Sequence, residues 1–136
     1  MQKILASLIA AVVMTAGLVA FSGGTATAAP YTGTVETSTR IDAPNTVQRN
    51  RRATVGVRVT SDANRAPQGR VTIVVTRALG GYRFIDNKAY TGSRINFTTT
   101  KLRKLGKYIV RVKFDRKPGS VFQDSDNTDA FKVVRR

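Results

Sequence analysis

Apolar and polar residues alternate with a period of two along most of the chain beyond residue 35. The alternation is most regular over residues 53–60, where Val55, Val57 and Val59 are separated by Gly or Arg. Successive side chains of a strand point to opposite faces, so this pattern predicts strands with one buried face. Four further segments share the pattern clearly, and two share it more weakly. The clear segments are residues 71–76, 95–98, 108–114 and 130–134, and the weaker ones are 35–41 and 82–90.

Turn-forming residues separate these segments into short strands. No segment shows the 3.6-residue period of an amphipathic helix, although residues 99–106 are compatible with one short turn. About seven strands at a spacing of roughly 8–12 residues predict an all-β antiparallel sandwich, rather than a five-stranded barrel. The turn segments are residues 42–45, 61–64, 67–69, 79–81, 91–93 and 118–119.

Residues 1–28 have the organisation of a secretory signal peptide. Lys3 places a positive charge near the start, and a largely apolar run extends from Ile4 to Phe21. Ala26 and Ala28 then match the small residues that signal peptidase requires, so cleavage is expected directly after the second alanine. The alternative is an uncleaved membrane anchor, because the run is close to the lower limit of about 17 residues for a membrane span.

Cleavage at that point would leave a short tether at residues 29–34 and a single domain at residues 35–136. No second apolar run follows, so the mature chain is not expected to span a membrane. The chain contains no Cys, so neither a disulfide nor a lipid-modified cysteine is expected. Export of a cysteine-free domain is commoner in bacteria than in animals, which favours a bacterial protein that is secreted or associated with the cell wall.

The chain is strongly basic, with 23 Lys and Arg against 8 Asp and Glu and a formal net charge of +15. Only one of these cations, Lys3, lies in the predicted signal peptide. Such an excess attracts polyanions, which include nucleic acid, anionic wall polymers, acidic glycans and anionic lipid headgroups. The alternative is that the charge only keeps the protein soluble.

Several motifs carry a resemblance to a known family. Pro44 precedes the alternating valine segment at residues 55–59, and the sequence Pro-Gln-Gly-Arg-Val-Thr-Ile occupies residues 67–73. Residues 102–108 read Leu-Arg-Lys-Leu-Gly-Lys-Tyr and lead into the next predicted strand. In these features residues 37–134 resemble the Ig-like domains of bacterial surface and secreted proteins. The resemblance implies an Ig-like β-sandwich and a spacer, adhesion or carbohydrate-associated role, and it implies no particular ligand.

The Leu-Gly-Lys-Tyr sequence at residues 105–108 is predicted to form a structural corner where a strand begins. Gly106 permits a tight turn, and Leu105 is expected to close the end of the core. The ring of Tyr108 is expected to be buried while its hydroxyl bonds to backbone across the corner.

The residue types present argue against an enzyme. The chain has no His and no Cys, so the usual general base, thiol nucleophile and transition-metal ligands are missing. It has one Glu, Glu36, and no Gly-x-Ser-x-Gly motif. Asp124, Asp126 and Asp129 are the best candidates for a cation site, but the Gly and Glu of a calcium loop are missing, and a solvated turn is the simpler interpretation. No catalytic, cofactor or metal site is therefore predicted.

The strand at residues 108–114 is predicted to carry basic side chains on its outer face. Tyr108 and Val110 point inward, so the alternating residues point outward. In an Ig-like sandwich this strand is central in its sheet, and basic residues of both neighbouring strands share the face. Like charges stacked in this way repel, and a polyanion lying across them would relieve the repulsion and release counterions. The candidate polyanion-binding residues are Arg70, Lys107, Arg111, Lys113 and Lys132.

Three functional interpretations remain open. The first is a secreted Ig-like module that binds an anionic wall polymer or acidic glycan through this face. The second is a structural or protein-interaction module whose charge only keeps it soluble, with another envelope protein as a candidate partner. The third is a nucleic-acid-binding barrel, which export disfavours. Further basic groups at residues 49–52, 101–104 and 116–117 are predicted to lie in loops, and Tyr82, Arg83 and Phe84 interleave aromatic with basic side chains.

Overall fold

The computed structural model describes residues 35–136, and this part of the chain is all-β. The predicted signal peptide and the tether at residues 29–34 lie outside the described residues. Among the residues described, no helix capable of crossing a membrane is found. The eight strands are β1 (Thr37–Asp42), β2 (Thr46–Gln48), β3 (Thr54–Ser61), β4 (Gly69–Arg77), β5 (Arg83–Tyr90), β6 (Ile95–Thr98), β7 (Gly106–Arg116) and β8 (Ser125–Val134).

The strands form two sheets, one with the order β1-β3-β6 and the other with the order β2-β8-β7-β4-β5. All paired strands are antiparallel except β2 and β8, which are parallel. The prediction of about seven strands missed β2, because this strand has three residues and a single buried side chain, Val47. A segment of that length is too short to show a period. Residues 99–105, whose sequence is compatible with one short turn, contain no helix.

The core lies between the two sheets and consists mainly of valine and aromatic side chains. Alternate residues of β3, β4 and β7 are buried, as the period-two pattern predicts. Fully burying a Val or Phe side chain contributes about 1.5–3 kcal/mol, so this packing stabilises the domain without a disulfide. On β7 the inward side chains are at most 1% exposed, and they are Tyr108, Val110, Val112 and Phe114.

Hydrogen bonds between β1 and the start of β8 join the sheets along one edge. The hydroxyl oxygens of Thr39 and Ser125 are 2.6 Å apart. The side-chain amide of Asn127 donates to the Thr39 carbonyl oxygen at 2.9 Å. Ser125 and Asn127 occupy the inward positions of β8, so polar contacts replace the apolar core at this seam.

The predicted corner lies at the start of β7. Gly106 has a φ of +119°, a conformation that residues with a Cβ rarely adopt. The ring of Tyr108 stacks on that of Phe131, with the ring centroids 5.4 Å apart. The Tyr108 hydroxyl donates a hydrogen bond to the Lys104 carbonyl oxygen at 2.8 Å. The glycine therefore turns the chain, and the tyrosine fixes that turn to the core.

Leu102 is 0% exposed, and Leu105 is partly buried and packs against the core. The burial of Leu102 was not predicted. The backbone of Leu102 is hydrogen bonded to Asn50 and Arg51 in the loop between β2 and β3, and these bonds hold Leu102 at the open end of the sandwich.

Candidate anion-binding surfaces

The five predicted binding residues are exposed and share the outer face of the five-stranded sheet. Strand β7 is central, between β8 and β4. At one end of the face, Lys107 lies opposite Lys132 of β8. Further along, Arg111 lies between Thr128 of β8 and Val74 of β4. The basic residues are thus on one face, but they do not form an unbroken column of positive charge.

Carboxylates interrupt the column near the end of β7. The Nζ atom of Lys113 is 3.0 Å from Asp115 Oδ1 on the same strand, and Asp126 of β8 lies directly opposite Lys113. Asp115 in turn lies opposite Arg70. The hydrogen bond from Lys113 to Asp115 and the charge of that carboxylate raise the pKa of Lys113, with smaller contributions from Asp124 and Asp126. The expected repulsion is therefore relieved within the protein at this end.

The acidic stretch belongs to the edge of the sheet and is not the solvated turn that was predicted. Asp126 and Asp129 are residues of β8. Asp124 directly precedes this strand, and its Oδ1 accepts a hydrogen bond from the Arg116 N–H at 2.8 Å. Within residues 35–136, no group of three or more Asp, Glu, His or Cys side chains is arranged to hold a metal ion.

The other basic residues of the face form no ion pair, although Arg111 lines a cavity together with Asp115, Asp124 and Asp126. Residues 35–136 contain two ion pairs, Arg94 with Asp42 and Lys113 with Asp115. Neither pair involves Lys107, Arg111 or Lys132. We call these three residues the basic sheet patch.

A second basic surface lies at one end of the sandwich, where the β2–β3 loop, the β6–β7 loop and Arg136 meet. A cavity of about 620 Å³ opens there, and five of its six lining residues are Arg or Lys. The lining contains no Asp or Glu, and both ion pairs described above lie elsewhere. We call this surface the basic loop cluster, and its residues are Arg49, Asn50, Arg51, Arg52, Lys101 and Arg136.

Hydrogen bonds hold the two loops of the basic loop cluster against each other. The Asn50 N–H donates to the Leu102 carbonyl oxygen at 2.7 Å, and the Leu102 N–H donates to the Arg51 carbonyl oxygen at 2.9 Å. The Arg49 Nε–H donates to the Arg103 carbonyl oxygen at 3.0 Å. Asn50 has a φ of +66°, a left-handed conformation that asparagine adopts more readily than most residues. The basic side chains therefore extend from a hydrogen-bonded backbone.

The sequence pattern predicts that both basic runs lie in loops, but it does not show that the two loops are neighbours. The two loops are brought together by the pairing of β3 with β6, in which Thr54 lies opposite Thr98. Residues just before Thr54 and just after Thr98 are consequently neighbours. This pairing joins segments that are distant in the chain, so no local pattern reveals it.

No protein-family model matches the sequence, and no curated protein is similar to it at a significant level. Solved structures match at low identity. Superoxide reductase (neelaredoxin) from Ignicoccus hospitalis is 17% identical with a TM-score of 0.49, over 71% of this chain and 80% of that chain. A mutant β-glucosidase from Listeria innocua in complex with laminaribiose is 10% identical with a TM-score of 0.50, over 74% of this chain and 16% of that chain. At such identities the likeness concerns the fold alone.

Proposed function

We propose that this chain is an exported, non-catalytic Ig-like module that binds an anionic extracellular polymer, either a cell-wall polymer or an acidic glycan. The observation that carries the proposal is the set of exposed cations at the basic sheet patch, none of which forms an ion pair. Fixed like charges on an ordered surface attract a layer of counterions. A polyanion that replaces this layer gains the free energy of counterion release.

The Ig-like part of the proposal rests on the strand order. In Ig-like sandwiches, one sheet contains strands C, F and G. Strand F is central in that sheet and pairs with the last strand, G, and with the earlier strand, C. Here β8 pairs with β7, and β7 pairs with β4, while β1, β3 and β6 make the opposing sheet. The first two strands belong to different sheets, so the start of the domain spans both layers. This order supports the resemblance drawn from the sequence motifs.

The alternative is a structural or protein-interaction module without a polyanion ligand. One observation favours it for part of the surface, because Lys113 already has the carboxylates of Asp115 and Asp126 beside it. That half of the sheet face resembles an ordinary solvated surface of mixed charge. The proposal therefore places binding on the basic sheet patch and leaves Lys113 and Arg70, of the five predicted residues, outside it.

Charge reversal on the sheet tests the proposal. The purified protein is titrated with heparin, as a sulfated glycan, and with poly(glycerol phosphate), as a wall-type polymer. The double variant Lys107→Glu with Arg111→Glu is compared with a control double variant, Arg65→Glu with Lys117→Glu. The control changes the net charge equally, and its two residues line a cavity beyond the C-terminal ends of β3 and β7. We expect the sheet variant to lose more affinity for at least one polymer. Equal losses would mean that net charge alone attracts the polymer, and absence of binding by the parent protein would favour the structural module.

A further inference from the structure

We propose that the basic loop cluster is a separate binding site for the phosphate groups of a linear polymer that carries phosphodiesters and no bases. The inference goes beyond the proposed function, because it concerns a different surface and commits to one chemical class of ligand. It rests on the side-chain types of the cluster, on the lack of Asp and Glu in its lining, and on the order of the loops that present it.

The side chains of the cluster are suited to binding phosphate groups. Four of the five cations that line the cavity are arginines, at positions 49, 51, 52 and 136. A guanidinium group presents several N–H donors in a planar fork, which can bind two oxygens of one phosphate. A phosphodiester also keeps its negative charge across the physiological pH range. Lys101 supplies the remaining charge without this directional geometry.

No Asp or Glu side chain lines the cluster. Its lining residues are all exposed, and the ion pairs formed by residues 35–136 lie on the outer faces of the two sheets. Backbone hydrogen bonds between Asn50, Arg51 and Leu102 hold the loops, and Leu102 is itself fully buried. Binding would therefore order the basic side chains, while most of the cost of ordering the backbone has been met during folding.

The surface is also suited to more than one phosphate group. Arg103 and Lys104 follow Lys101 in the β6–β7 loop, and both are exposed. Arg103 is tied to the cluster through the hydrogen bond from Arg49 to its carbonyl oxygen. A repeating phosphodiester chain can contact these cations in succession, whereas a free phosphate ion contacts only a few.

The lining favours a polymer without bases. None of its six residues is aromatic. Proteins that bind single-stranded nucleic acid combine a basic groove with aromatic rings on which the bases stack, and each stacked base contributes about 1–3 kcal/mol. A nucleic acid bound here would gain only the attraction between its phosphates and the cations. An oligonucleotide is thus expected to bind no more tightly than a base-free polymer with the same number of phosphates.

The test measures affinity by fluorescence anisotropy with labelled poly(glycerol phosphate). The double variant Arg51→Glu with Arg52→Glu should lose about tenfold or more in affinity, since it reverses two phosphate contacts. The Arg65→Glu and Lys117→Glu variant, with the same net charge, should lose much less. Equal losses for the two variants overturn the site. Thermal unfolding of each variant confirms that the fold is retained.

Ligand class is tested with charge-matched competitors and a conservative variant. Poly-L-glutamate and a single-stranded oligonucleotide compete against the labelled polymer, and neither should compete better than unlabelled poly(glycerol phosphate) of equal charge. The Arg51→Lys and Arg52→Lys variant keeps the charge but removes the guanidinium forks, so its affinity for poly(glycerol phosphate) should fall. An unchanged affinity in the Lys variant, or tighter binding of either competitor, overturns the assignment. The Lys variant decides this even if the Glu variant fails to fold.

The same variants separate this inference from the proposed function. If only Lys107→Glu with Arg111→Glu weakens binding, the sheet patch is the site and the loop-cluster inference is wrong. If only the loop variant weakens binding, the inference stands and the sheet patch is excluded. If the parent binds none of the polymers, both proposals are wrong.

Discussion

The hydroxyl group of Tyr90 on β5 hydrogen bonds to both backbone groups of Val59 on the opposite sheet. The Val59 N–H donates to Tyr90 Oη at 3.0 Å, and Oη donates to the Val59 carbonyl oxygen at 3.0 Å. Val59 lies beyond Val57, the last residue of β3 that pairs with β6. One buried phenol thus provides the hydrogen bonds that a longer β6 would have provided.

Replacing Tyr90 with Phe should destabilise the domain by about 1–3 kcal/mol, because two buried backbone groups would lose their partner. The measurement is the free energy of unfolding by denaturant titration. The control is Tyr82→Phe, which removes a hydroxyl that bonds to Thr100 at an exposed site and should change stability by less than about 0.5 kcal/mol. Similar losses in the two variants would contradict the role given to Tyr90.

Tyr108 should make stability sensitive to alkaline pH. Burial raises the pKa of its phenol, and the positive charge of Arg77 opposes this rise. The folded state therefore favours the neutral phenol. This contribution is fully present below the unfolded pKa of about 10 and is lost as the pH rises through the folded value.

Tyr108→Phe should cost about 0.5–1.5 kcal/mol at neutral pH through the lost hydrogen bond. Above a pH of about 10, its stability should fall less steeply than that of the parent protein. Denaturant titrations at several pH values check both expectations. Parallel stability curves for parent and variant would show that Tyr108 does not cause the alkaline loss.

Val110→Ala should destabilise the domain by about 1–3 kcal/mol, since Val110 is 0% exposed in the core and the change leaves a cavity. Val74→Ala is the matched control, because Val74 lies on the outer face of the adjacent strand β4 and is only partly buried. Its cost should be well under half as large. Equal costs in denaturant titration would conflict with the assigned faces of the sheet.

Secretion should yield a product that begins at Ala29 or within two or three residues of it, because Ala26 and Ala28 fit the signal peptidase rule. Intact mass and N-terminal sequencing of the protein from the culture medium check this. A product that retains Met1 to Phe21 would support the uncleaved anchor instead.

Local pattern was sufficient to predict the faces of the long strands. The burial of Tyr108 and Val110 follows from alternation within one segment, which needs no knowledge of the neighbouring strands. Strand β2 and the burial of Leu102 were missed for the same physical reason. Both depend on contacts with residues far along the chain, Val133 for β2 and Asn50 for Leu102.

The distribution of charge on the surface was harder to predict than the buried and exposed faces of the strands. Alternation placed Lys113 outward correctly, but the position of Asp126 beside it depends on the register between β7 and β8. The basic loop cluster likewise depends on the pairing of β3 with β6. Strand register is set by the whole fold, so charge compensation between strands cannot be derived from a single segment.

The salt dependence of poly(glycerol phosphate) binding tests most directly whether uncompensated surface cations bind a polyanion. The association constant is measured from about 50 to 200 mM NaCl for the parent protein and for Arg51→Ala with Arg52→Ala. The logarithm of the constant should fall linearly with the logarithm of salt concentration, and the variant should have a slope smaller in magnitude by about two, one for each phosphate contact removed. A slope near zero for the parent, or an unchanged slope in the variant, would contradict binding of the polymer by these cations.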